Sequence, residues 1–197
     1  MGGFSPPLFI MDYKSILQAE FERACQTPSD INEHLPLLKS VADDCSHITE
    51  MGVRAALSTR AFLNSSCQTV ISYDLETFSD LQFLFDAAKN IGKKAEYIQA
   101  DVLNIEIEQT DFLFIDTWHA YDQLIQELRL HGHKASKYIG FHDTYTFGIV
   151  GENSYGKIAS KGLLYAIDEY VAETNGAWKV KIQVNNNNGL TILEKNI

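Results

Sequence analysis

Residues Asp111–Thr144 read DFLFIDTWHAYDQLIQELRLHGHKASKYIGFHDT. The stretch holds two apolar runs, DFLFID and KYIGFHD, each ending in carboxylate or imidazole groups, with a helical pattern between them. A run that is apolar on every residue suits a strand covered on both faces, and a helix-sized spacer suits a crossover to a parallel neighbour. The polar residues therefore gather at strand C-termini, the edge where open α/β sheets bind ligands.

The segments on either side extend this pattern. Upstream, HITEMGVRAALSTRAFLNS reads as a strand, a turn at Gly52 and a helix from about Ala55. TVISYDLE is a strand ending in Asp74, FSDLQFLFDAAKNIG an amphipathic helix closing at Gly92, and AEYIQADVLN a strand ending at Asp101. Downstream, GLLYAIDEYVAET is a helix, and AWKVKIQVNNNNGLTILEK is an antiparallel hairpin about an Asn-Gly turn. Two helices precede the first strand. One spans Tyr13 to Cys25; the other carries Leu35, Leu38, Val41 and Ala42 on its buried face and tolerates Pro36 in its first turn. Asp30 three residues before Glu33 resembles a capping box, with Asn32 and His34 read as capping or surface groups, or alternatively as ligand-facing. The expected fold is α/β: a Rossmann-like, doubly wound, mostly parallel seven-stranded sheet with N-terminal helices and a C-terminal antiparallel hairpin. Residues 1–12, with Gly2, Gly3, Pro6 and Pro7, are expected as a loose arm before a single domain over 13–197.

Charge restricts the ligand. Sixteen basic residues against twenty-six acidic ones give a formal charge of -10, which opposes nucleic acid and anionic membrane surfaces. Cys25, Cys45 and Cys67 lack CxxC spacing and read as free thiols. No apolar run reaches transmembrane length, and MGGFSPPLFIMDY lacks a signal-peptide pattern and, through Pro6, the myristoylation pattern, so the expected location is cytoplasmic. At the glycine turn the dinucleotide fingerprint is incomplete, because Arg54 and Ala55 follow Gly52, and Glu50 would oppose a pyrophosphate. Glu50 instead suits a cationic or hydroxyl-bearing ligand. Asp74, about twenty residues on, is either a ribose acid or a helix cap. The Gly-, Ser- and Thr-rich loop TYTFGIVGENSYGKIASKG, with Tyr145, Phe147 and Tyr155, is a candidate lid or acceptor wall.

These residues together resemble the class I S-adenosylmethionine-dependent methyltransferases. Glu50-Met51-Gly52 followed by Ser58-Thr59 looks like the first cofactor motif, Asp74 the ribose acid, Asp101 the adenine-edge acid, and Phe114-Ile115-Asp116 the fourth-strand motif. IGFHDT, Ile139 to Thr144, is similar to the fifth strand of small metal-dependent sugar and macrolide O-methyltransferases of bacterial and large-DNA-virus glycan pathways. The resemblance implies S-adenosylmethionine as cofactor, with Trp118 and Asp116 also on its site, and a small-molecule or glycan acceptor. It further implies a divalent cation (Mn or Mg) at Asp116, His142 and Asp143, and His119, three residues beyond Asp116, as the base. Two departures stand out: Ala56 replaces a second glycine, and His142 replaces a carboxylate. Imidazole is a poor ligand for magnesium but acceptable to manganese or other transition ions. Without a metal, Asp116, His142 and Asp143 would form a hydrogen-bonded network. Trp118 could cover adenine, face a sugar ring or simply pack. An unperturbed imidazole at His119 would be largely neutral at pH 7, and neighbouring carboxylates would raise its pKa. The alternatives are a catechol-type small-molecule O-methyltransferase, an NAD-dependent oxidoreductase on a similar sheet, and a binding module without catalysis.

Overall fold

A computed structural model of the chain describes residues 12–154, 156, 159 and 161–196. Residues 1–11 of the expected arm and Tyr155 of the expected acceptor wall lie outside them. Asp12 already belongs to the folded unit, because its carboxylate caps the first helix by accepting from the Ser15 amide and hydroxyl.

The chain runs α1 (Tyr13–Gln26), α2 (Leu35–Asp43), β1 (His47–Met51), α3 (Leu57–Leu63), β2 (Thr69–Asp74), α4 (Gln82–Asn90) and β3 (Lys94–Gln99). It continues through β4 (Thr110–Ile115), α5 (Tyr121–His131), β5 (Ala135–His142), α6 (Leu163–Glu173), β6 (Trp178–Val184) and β7 (Leu190–Lys195). The seven strands form one sheet in the order β3-β2-β1-β4-β5-β7-β6. All neighbours are parallel up to β5, and β7 pairs antiparallel with both β5 and β6. This is the doubly wound sheet with a terminal hairpin that the sequence predicts. Its strand order reverses between β1 and β4, which opens a crevice at their C-terminal ends.

Alternation along each strand sorts side chains to two cores. Phe112 and Phe114 of β4 face α1–α4, while Leu113 and Ile115 face α5 and α6. On the first side Phe62 meets Phe112 and Phe114 edge-on, with ring centroids 5.8 and 5.4 Å away, a favourable aromatic geometry. Those rings occupy the space above Gly140 of β5, where an added Cβ would lie 2.8 Å from Phe112 Cε2. Glycine at 140 is therefore required by packing.

Local departures from expectation have physical causes. The expected Asp30/Glu33 capping box does not form. Ser29 Oγ accepts from the Ile31 and Asn32 amides, Asp30 pairs with Arg54, and Glu33 accepts from Asn186. Helix α3 begins at Leu57 and not near Ala55, because Arg54 and Ala56 take left-handed φ values of 45° and 56°. Ala56 thus adopts a left-handed conformation that favours glycine. Among the described residues no helix is long and apolar enough to cross a membrane.

Gly140→Val is expected to lower unfolding stability by about 1–3 kcal/mol through overpacking against Phe112 and Phe114, measurable by chemical denaturation.

Candidate functional site

The β1–α3 turn is pinned to both neighbouring strands. Gly52 N donates to Tyr73 O at 2.9 Å, and Asp116 N donates to Met51 O at 2.8 Å. Gly52 has φ +86°, and a Cβ there would sit 2.0 Å from the Asp116 carbonyl oxygen. No side chain fits. The turn is completed by Asp74, whose Oδ2 accepts from the Val53 and Arg54 amides at 2.8 and 2.9 Å.

Beneath the turn lies Glu50, fully buried. Its carboxylate accepts from Ser58 Oγ at 2.6 Å, Thr59 Oγ1 at 2.7 Å and Ser72 Oγ at 2.6 Å. Burial pushes its pKa up, and these hydroxyls only partly offset that, leaving it at about 7. The expectation that Glu50 meets a ligand is corrected here: Glu50 and Thr59 do not line the cavity, and Ser58, which does, spends its hydroxyl on Glu50. The group is an internal anchor joining β1, β2 and α3.

The cavity has a volume of about 410 Å³, within the range of about 300–1,000 Å³ for small-molecule sites. Gly52, Asp74, Asp101, Asp116, Trp118 and His119 all line it. Its carboxylates among the described residues are Asp30, Asp74, Glu76, Asp101, Asp116 and Glu152; the one lysine or arginine is Arg54, paired with Asp30. Such a wall is hostile to a pyrophosphate and favourable to a cation or a polyol. Asp101 also caps the turn after β3 by accepting from Leu103 N.

At the inner end, Asp116 beyond β4 meets His142 and Asp143 at the tip of β5, and each offers a ligand atom within 4.8 Å of the others. Asp143 is held at φ +60°, a costly conformation for a non-glycine residue. Its Oδ1 is buried and takes no hydrogen bond among the described residues, while Oδ2 lies 3.3 Å from His142 Nδ1. The ring is anchored on its other side, where Nε2 lies 3.1 Å from Asp30 O and 3.0 Å from Asn187 O. An Nε2–H donating to those carbonyls leaves Nδ1 as the atom free to ligate. An orphaned carboxylate oxygen and a tautomer fixed from behind fit a bound cation. His34, expected as a cap or surface group, is instead buried with its ring edge-on to His142, centroids 5.7 Å apart.

His119 does not stand as a free base. Nε2 lies 2.9 Å from Asp143 Oδ2 and 3.1 Å from Asp116 Oδ1, and Nδ1 lies 2.8 Å from Glu152 Oε2. Burial opposes charge on the imidazole, but the hydrogen bonds to Asp116 and Asp143 outweigh it and raise its pKa to about 10. His142 is raised to about 10 for the same reasons. Without a cation both rings would be protonated at pH 7, the rise at His119 being in the direction expected from neighbouring carboxylates. The same contacts hold Asp116 and Asp143 well below the usual carboxylate range despite burial.

Glu152 was not singled out by the sequence reading, whereas Phe147 was named in the candidate lid or acceptor wall. Both come from the loop after β5, and Phe147 stacks on His119 with centroids 5.0 Å apart and planes 6° apart. The loop was legible as functional from its length and composition, but nothing in GENSYG distinguishes Glu152 from a solvated carboxylate.

No protein-family model matches the sequence, and no curated protein matches it. Solved structures do resemble the fold. The methyltransferase PaMTH1 of Podospora anserina, bound to S-adenosylhomocysteine, aligns over 100% of both chains at 15% identity with a TM-score of 0.56. The N-methyltransferase NodS of Bradyrhizobium japonicum WM9, in complex with S-adenosylhomocysteine, covers 94% of this chain and 100% of its own at 14% identity, TM-score 0.62. An O-methyltransferase of Bacillus cereus in complex with S-adenosylhomocysteine covers 96% and 94% at 13% identity, TM-score 0.59. At such identities the likeness establishes the fold, here that of methyltransferases acting on both nitrogen and oxygen.

Glu50→Ala is expected to cost about 2–4 kcal/mol in stability, since three buried hydroxyls lose their acceptor, whereas Glu50→Gln, which keeps one acceptor oxygen, should cost less; thermal and denaturant unfolding of both variants provides the check.

Proposed function

We propose that the chain transfers a methyl group from S-adenosylmethionine to a hydroxyl oxygen of a small-molecule or glycan acceptor, a sugar hydroxyl foremost, with a divalent cation at Asp116, His142 and Asp143. The observation that carries the reading is the junction of two features: an acid-lined cavity unsuited to phosphates, and directly beside it a cluster of carboxylates and imidazole with an orphaned oxygen.

When bound, S-adenosylmethionine supplies a methyl on a sulfonium, open to in-line displacement, and a divalent cation supplies the charge that lowers a coordinated hydroxyl's pKa. The protein's share is binding, orientation and charge. Asp74 Oδ2 is taken up by the Val53 and Arg54 amides, while Oδ1, which accepts from the Glu76 amide, retains acceptor capacity for a ribose hydroxyl. Gly52 lets the β1 turn pack directly on the Asp116 backbone at the cavity wall. Asp101 and Trp118 line the same cavity as Asp116, which supports reading Asp101 as the adenine-edge acid and Trp118 as part of the cofactor wall. The base expected at His119 would have to leave both aspartates before taking a proton, so this reading rests on the cation and not on a free imidazole.

A catechol-type acceptor is the second reading. It is favoured by Tyr145, Ile149 and Val150, which are exposed on the loop that carries Phe147 and Glu152 to His119 and suit an acceptor with an apolar body. An NAD-dependent oxidoreductase is disfavoured by the carboxylates of the cavity. A cytoplasmic location belongs to the proposal, supported by the three free cysteines.

Titration calorimetry is expected to show binding of S-adenosylhomocysteine, and binding of NAD alone would overturn the proposal. Asp74→Ala should weaken S-adenosylhomocysteine roughly 10–100-fold, by loss of charge-assisted hydrogen bonds to the ribose. Methyl transfer to a panel of sugars and catechols should cease in chelator and return with manganese; full activity in chelator would remove the cation from the mechanism.

A further inference from the structure

Among the described residues the cavity wall carries six carboxylates and a single lysine or arginine, Arg54. We infer that Arg54 binds the α-carboxylate of S-adenosylmethionine, the one anionic group of that cofactor. The inference rests on the cofactor reading above and deepens it, because that reading leaves the amino-acid end of the ligand without a partner.

The first support is the balance of charge. The cofactor's α-ammonium finds acceptors all along this wall, whereas its α-carboxylate meets like charge there, and like charges brought together oppose binding. Other donors close to the β1–α3 turn are already in use. Gly52 N donates to Tyr73 O, Ala56 N to Val53 O, Val53 N and Arg54 N to Asp74 Oδ2, and Ser58 Oγ to Glu50 Oε1. His119 also lines the wall, but both its nitrogens face carboxylates of the protein.

The second support is that Arg54 has donors to give. A guanidinium presents five N–H groups in a planar fork that matches a carboxylate. Nη2 pairs with Asp30 Oδ2, and neither Nε nor Nη1 has a partner among the described residues. The Arg54 side chain is 70% exposed, and an ion pair so open to water contributes little, so sharing the guanidinium with a second carboxylate costs little.

The third support is position. Arg54 N is bonded to Asp74, the acid read as the ribose ligand, at 2.9 Å. Its guanidinium is bonded to Asp30, whose carbonyl oxygen lies 3.1 Å from His142 Nε2. The residue therefore reaches from the ribose acid toward the Asp116–His142–Asp143 cluster. In the cofactor the ribose and the amino-acid chain join at the sulfonium, so a ligand with its ribose at Asp74 and its methyl toward the cluster has its carboxylate on this side of the cavity, away from Asp101.

The test is titration calorimetry on the full chain with a matched pair of ligands: S-adenosylhomocysteine, and S-adenosyl-3-thiopropylamine, which keeps the adenosine, sulfur and ammonium and lacks the carboxylate. Arg54→Met should weaken S-adenosylhomocysteine about 10–100-fold, as loss of hydrogen bonds to a charged group does, and leave the amine bound as in wild type. Arg54→Lys, which keeps the charge without the fork, should fall between the two and carries the comparison if the methionine variant fails to fold, with melting temperature as the control. Asp30→Asn breaks the same ion pair but keeps the arginine, and should bind S-adenosylhomocysteine at least as tightly as wild type. Unchanged S-adenosylhomocysteine binding in the Arg54 variants, equal losses for both ligands, or a loss in Asp30→Asn as large as in Arg54→Met overturns the inference and leaves Arg54 a structural ion pair. Failure of wild type to bind either ligand overturns the cofactor reading itself and this inference with it.

Discussion

The contact on which the site depends is the approach of Gly52 to the Asp116 carbonyl, so close that a Cβ would stand 2.0 Å from the oxygen. It brings the end of β1 and the end of β4 together at the point where strand order reverses. Because Asp116 N is bonded to Met51 O, the carboxylate that follows β4 is delivered to a fixed position. From there it serves both the cavity and the cation cluster. Any side chain at 52 would separate the two strand ends, and with them the cavity from the Asp116–His142–Asp143 cluster.

Charge is managed differently at two depths. Glu50 is sealed beneath the turn, where burial raises its pKa to about 7 and three hydroxyls satisfy its oxygens, so it binds strands and helix to each other. Asp74, Asp101, Asp116 and Glu152 remain at the cavity wall, where their charge can act on a ligand. A chain with a formal charge of -10 thus concentrates carboxylates around a cavity that suits a cationic or hydroxyl-bearing ligand better than a phosphate. Toward the inner end the density of negative charge is balanced by imidazoles. Each is tethered from behind, one by backbone carbonyls and one by Glu152.

Much of this was legible along the chain because it is written in local pattern. Apolar runs on β4 and β5, the helix between them, the glycine turn and the Asn-Gly hairpin follow from periodicity and turn chemistry over a few residues. The carboxylates at strand ends were legible for the same reason, since a parallel strand that ends in an acid carries it to the ligand edge. Capping at Asp30 was misread because the same short polar side chain can cap a helix or meet an arginine, and Arg54, distant in sequence, decides which.

The sequence by itself determined the strand order's raw material, the acids at the ends of β2 and β4, and the Asp-x-x-His spacing of Asp116 and His119. Tertiary structure alone decided what those residues face. Glu50 turned inward because Ser58, Thr59 and Ser72 converge on it from three elements, and His119 turned toward Asp143 and Glu152, which lie 24 and 33 residues away in the chain. Periodicity can assign a residue to a strand end or a helix face; the identity of its partners depends on which distant segments the sheet order brings alongside.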